Sequence, residues 1–172
     1  MSAPGTTAAR VSFRVSVLGE MQLHRALQGR IRATSDLSPA FERIADDFEE
    51  TEQRQFESEG GFEGNPGWAP LSEKYAAWKA KKYPGGRILT ATGKLRDALT
   101  GGAGSIRKVD PLRLEVGGSV IVGKGRRWDL GALHQTGTTR GMPARKPINL
   151  SRNQRHRLIR FLTDHLRLEG RE

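Results

Sequence analysis

The chain has 172 residues, 29 of them Lys or Arg against 19 Asp or Glu, so it carries a formal net charge of +10; 35% of it is hydrophobic and it has no cysteine. That length suits one domain around a lean core, and the lack of cysteine excludes a disulfide framework and a thiolate metal site. No apolar stretch approaches the ~18 residues that cross a bilayer, and residues 1–10 lack the apolar centre of a signal peptide, so no membrane contact is expected and the cytoplasm is the default compartment.

Val11, Phe13, Val15 and Val17 alternate with polar residues, the period of a strand with one buried face. Leu23, Leu27 and Ile31 then recur at helical spacing. Ser38-Pro39 reads as a helix start, with the hydroxyl as cap and the proline at a position that needs no N–H. The helix that follows has Phe41, Ile44, Ala45, Phe48 and Phe56 on its apolar stripe, crowds acids on its other faces, and closes at Gly60-Gly61.

Turn residues 64–67 precede a helix capped by Ser72, which carries Tyr75 and Trp78 and ends in Lys79, Lys81 and Lys82. A short helix from Thr92 buries Leu95 and Leu99. Residues 105–117 read as a hairpin turning at Asp110-Pro111, and residues 120–122 extend it or add a strand. Residues 123–129 and 137–147 read as loops or arms. Ser151 and Gln154 have capping-box spacing ahead of a terminal amphipathic helix with Leu158, Ile159, Leu162 and Leu166 on its stripe. The expected fold class is therefore α+β: a small, mainly antiparallel sheet flanked by the Ser38 and Ser151 helices. It forms a single domain over residues 1–172, with mobile ends at 1–10 and 169–172.

Chemistry is sparse. His24, His134, His156 and His165 lack the spacing of a helical zinc site, and solvated histidines are the expectation for the last two. The glycine-rich stretches at 101–104 and 123–125 lack the remaining residues of a phosphate loop. Acids in residues 41–59 suggest a metal-dependent nuclease only weakly, since two-metal sites gather carboxylates from separate elements. No catalytic, metal or cofactor-binding residue is assigned, and a non-enzymatic protein is expected. Charge is polarised: residues 1–66 hold 7 basic and 11 acidic residues, residues 67–172 hold 22 and 8, and such a split favours head-to-tail contact between copies or a face toward DNA. Sequence-independent nucleic-acid binding therefore stands as an alternative function, resting on charge alone.

Three segments, in order, carry a resemblance. Trp68-Ala69-Pro70-Leu71-Ser72 is followed by Tyr75 and a lysine-rich helix; Ile88-Leu89-Thr90-Ala91-Thr92-Gly93-Lys94-Leu95-Arg96-Asp97-Ala98-Leu99 forms a second block; Leu133-His134-Gln135-Thr136-Gly137 and Pro143-Ala144-Arg145 form the third. Together they resemble the phage virion-morphogenesis (tail-completion) family, although Thr136 stands where an aromatic residue is usual. The resemblance implies a structural virion protein of the tail or neck, assembled in the host cytoplasm. It would form a homo-oligomeric ring, with six copies suiting tail symmetry, beside other neck and tail proteins and with non-specific contact to packaged DNA. It further implies a core motif of Trp68, Pro70, Leu71, Tyr75, Leu89 and Leu95. Contact with a neighbouring subunit is expected at His134, Gln135, Gly137, Arg140, Pro143, Ala144 and Arg145, and a basic surface facing the lumen or DNA at Lys124, Arg126 and Arg127. For each aromatic the competing reading is plain core packing, and for the arginines a solvated loop.

Overall fold

The computed structural model describes residues 21–123, 127–139 and 141–168; the strand expected at Val11 to Val17 lies outside them. In chain order the elements are α1 (Met21–Ser35), α2 (Ser38–Glu57), α3 (Glu73–Lys82), α4 (Lys94–Leu99), β1 (Ser105–Asp110), β2 (Arg113–Gly118), β3 (Ile121–Val122), β4 (Trp128–Asp129), α5 (Leu130–Thr136) and α6 (Arg152–Leu168). The β1–β2 hairpin and the β3–β4 pair are both antiparallel, and the class is α+β as read from the sequence.

The 20-residue α2 is the axis. Its C-terminal half supplies Phe48 and Phe56 to a core completed by Trp68, Leu95, Ala98, Leu99 and Val120. α4 inserts Leu95, Ala98 and Leu99 between α2 and the hairpin. The approach is close: a Cβ on Gly118 of β2 would stand 2.2 Å from the Ala98 carbonyl oxygen, so only glycine fits there. On its other side α2 packs α6, with Arg157 donating to Asp47 and Glu63, while Arg107 of β1 reaches Glu42, Asp46 and Glu49. Much of the acidity of α2 is thus answered within the chain. Arg107, bonded first by Glu42 and then by Asp46, is held more firmly protonated than usual.

Several local expectations are corrected. α2 begins at Ser38 with Pro39 in its first turn, but the Ser38 hydroxyl is not the cap; Asp36 Oδ1 accepts the Ser38 N–H at 2.9 Å, and the Ser38 hydroxyl first and this N–H second lower the carboxyl below its usual range. Residues 130–136 form α5, a helix additional to those expected from the sequence; Asp129 caps it by accepting the Ala132 N–H. Trp128, placed in a loop, lies on β4. The packed face of α6 carries Gln154, Phe161 and His165 instead of the full leucine stripe, leaving Ile159 60% and Leu166 38% exposed. His165, expected to be solvated, is buried with Nε2 2.9 Å from the Asp36 carbonyl. Ser151 Oγ accepts the Gln154 N–H at 2.9 Å, but the Gln154 amide is buried and unpartnered, so only half of the capping box forms.

Glu52 is buried on α2 with Oε2 unpartnered. Burial pushes its carboxyl up from 4.5 to about 8. The folded chain therefore binds this proton more tightly than the unfolded chain does. Its contribution is fullest below pH 4.5 and is lost as pH rises through about 8. Glu52→Gln is expected to remove this decline, which has a limiting slope of about 1.4 kcal/mol per pH unit, so that urea unfolding between pH 5 and 8 shows the variant gaining on the wild type. Parallel stability curves would contradict this assignment.

Candidate functional site

The segments singled out in the sequence meet beyond the C-terminal end of α2. Gly60, in the left-handed region at φ +93°, turns the chain, and a Cβ there would strike the Trp68 ring at 2.5 Å. The freed backbone lets the Trp68 N–H reach the Glu59 carbonyl at 2.7 Å while its ring packs edge-on to Phe56 at 5.2 Å. Trp68 Nε1 then donates to the Lys146 carbonyl at 2.8 Å, tying the first segment to the third.

Arg145 completes that tie. Its side chain is buried, with Nε donating to the Ala69 carbonyl at 2.6 Å and Nη2 to the Pro70 carbonyl at 2.7 Å, while its backbone N–H donates to the His134 carbonyl at 2.8 Å. The planar fork suits two carbonyls a residue apart, which the single head of a lysine cannot match. Gln135 turns inward as well, its Nε2 donating to the Ile148 carbonyl at 2.9 Å. Gly137 ends α5 at φ +73°, where a Cβ would lie 2.7 Å from the Met142 oxygen, and Thr138 N–H donates to that oxygen. Residues 137 and 138 are thus held against residue 142.

These braces frame a cleft of about 820 Å³ whose apolar lining includes Leu71, Leu89, Leu130 and Met142, with Tyr75 at 44% exposure. Leu89 reaches it from the left-handed region at φ +63°, an unfavourable conformation for a branched side chain. Lys79, His134 and Arg145 also line the cleft. Lys79 is buried and donates to the Arg87 carbonyl; burial lowers its ammonium from the ordinary range, against the pull of Glu59 and with the push of Arg145. His134 is lowered by burial and then by Arg145, and its Nδ1 is buried without a partner.

The expected residues divide clearly. Trp68 and Leu95 are core, and Leu89 packs against the core from the cleft. Tyr75 and Pro70, expected in the core, are exposed. The reason is the orientation of α3: it turns Lys79 inward and puts Tyr75, Trp78 and Lys82 outside, the two rings 5.3 Å apart and the Lys82 ammonium 5.1 Å from the Trp78 ring. Arg145, expected at a subunit contact or in a solvated loop, is an internal brace because its donors satisfy carbonyls of its own chain. Pro143 and Ala144 are exposed and His134 is half-buried. Arg127 is exposed, whereas Lys124, Arg126 and Arg140 lie outside the described residues. Among the described residues no group of three or more His, Asp or Glu side chains could hold a metal ion, and no helix is long and apolar enough to cross a membrane.

Set against known proteins, the chain matches the family model described as the phage virion morphogenesis family over residues 19–167. No curated protein and no solved structure matches it.

If Arg145 braces the site, Arg145→Lys keeps the charge but loses one carbonyl partner, and should cost about 1–3 kcal/mol of stability in chemical denaturation. Arg127→Lys, at an exposed position, should change stability by less than about 0.5 kcal/mol. Equal effects would contradict the bracing role.

Proposed function

Because this chain belongs to the phage virion morphogenesis family, whose members serve phage structure and assembly, we propose that it completes the tail at the head–tail junction, as a homo-oligomeric ring that makes the tail competent to join a filled head. The match to the family over residues 19–167 carries this reading. The geometry supports it: the shared segments hold one another in place to build a shaped surface, with an apolar cleft beside exposed Tyr75 and Trp78. Tyrosine and tryptophan offered at a surface are what protein interfaces use.

No catalytic step belongs to this reading. The α2 carboxylates serve packing: Glu42, Asp46 and Glu49 engage Arg107, Asp47 engages Arg157, and Glu52 is buried. The partners in this reading are further copies of the chain, neighbouring neck and tail proteins, and packaged DNA through non-specific phosphate contact.

The nucleic-acid alternative draws on exposed Arg152, Arg155 and Arg160 along α6. The two readings separate on salt dependence, since binding through phosphates weakens steeply as salt rises. Light scattering of the purified chain at low and physiological salt, with and without duplex DNA, is expected to give one discrete oligomer whose mass DNA leaves unchanged at physiological salt. A monomer that binds DNA tightly, with a steep salt slope, would favour the alternative.

A further inference from the structure

The cleft and the tip of the β1–β2 hairpin are chemically complementary and lie at opposite ends of α2. The hairpin runs beside that helix with Arg107 against its first turns, and the Leu37 N–H donates to the Pro111 carbonyl at 2.7 Å, fixing the tip at the N-terminal end of α2. The cleft is tied to the other end through Trp68 on Glu59 and Arg87 on Glu57. Twenty helical residues at 1.5 Å each separate the two ends by about 30 Å.

The tip presents Asp110, Pro111 and Leu112, all exposed, with Leu112 at 67%. Asp110 forms no salt bridge among the described residues, whereas Arg113 and Lys108 behind it are answered by Glu115. The cleft offers the converse: an apolar lining, no carboxylate, and the buried cations Lys79 and Arg145, neither of which has a salt bridge among the described residues. Glu59, the acid whose charge reaches Lys79, is engaged by the Ile88 N–H at 2.7 Å.

We propose that the Asp110-Pro111-Leu112 tip of one copy docks in the cleft of the next, Leu112 entering among Leu71, Leu89, Leu130 and Met142 and the Asp110 carboxylate facing Lys79 and Arg145. The inference rests on the homo-oligomeric reading and names its contact surfaces. A knob at one end and a socket at the other make a heterologous interface, which closes into a ring when the rotation between copies allows. The tip is held to α2 before it docks, so little ordering opposes binding. Burying Leu112 removes an exposed branched side chain from water, and the carboxylate answers two cations already desolvated in the fold.

The test is a pair of half-dead variants followed by light scattering. Leu112→Glu spoils the knob and Met142→Glu spoils the socket; each alone should weaken self-association at least tenfold with an unchanged circular-dichroism spectrum. Mixed in equal amounts they should form one-to-one dimers, since each retains the half the other lacks, and Asp110→Arg should weaken assembly as a second knob variant. If the wild type assembles and Leu112→Glu assembles equally well, or the mixture stays monomeric, the knob-and-socket pairing is wrong while the oligomeric reading stands. A wild type that stays monomeric at every concentration overturns both.

Discussion

The guanidinium of Arg145, buried between the carbonyls of Ala69 and Pro70, holds together two stretches of chain more than seventy residues apart in sequence. With the Trp68 indole on the Lys146 carbonyl it ties residues 145 and 146 to residues 68–70, just ahead of α3. The cleft is lined by residues close in sequence to both sides of that tie, Leu71 and Ser72 on one stretch and Met142 and Pro143 on the other. A buried cation without a carboxylate partner is costly to keep unless its donors are satisfied. Here the carbonyls satisfy two of them, and the uncompensated charge remains beside the cleft, where an anionic partner gains from it.

The same principle runs through α2. Its carboxylates would repel one another along one helix, yet Arg107 from the hairpin pairs with Glu42, Asp46 and Glu49 and Arg157 from α6 pairs with Asp47, so both elements are fixed against the axis. The sequence-level polarity between an acidic first part and a basic remainder is therefore spent in large measure inside the fold. What stays outside is more local: a basic, aromatic face on α3, arginines along α6, and an acid-bearing tip on the hairpin.

Patterns of period and punctuation made most of the fold legible. The apolar spacing from Phe41 to Phe56 placed α2, the turn residues around Pro111 placed the hairpin, and Ser151 marked the start of α6 to within a residue. Failures came where tertiary contacts overrode local rules. Tyr75 reads as core because aromatics usually are, but α3 buries Lys79 instead, an inversion that becomes visible only once the Arg87 carbonyl is in place to receive the ammonium. Arg145 reads as a loop or interface arginine, since no local pattern shows that Ala69 and Pro70 wait for it. α5 had one usable signal, Asp129 three residues before Ala132, the spacing of a helix cap. The first and third segments named in the sequence are joined by hydrogen bonds between Trp68 and Lys146 and between Arg145 and residues 69 and 70, and the second adds Leu95 to the core around Trp68.

The central claim, that the chain makes tails competent to join heads, is tested most directly by adding the purified protein to extracts of a phage whose corresponding gene has been inactivated, then counting joined particles by electron microscopy. The account predicts filled heads and finished but unattached tails before addition, and joined, infectious particles after it. Extracts in which heads and tails are already joined without the protein, or stay apart after it is added, would contradict the account.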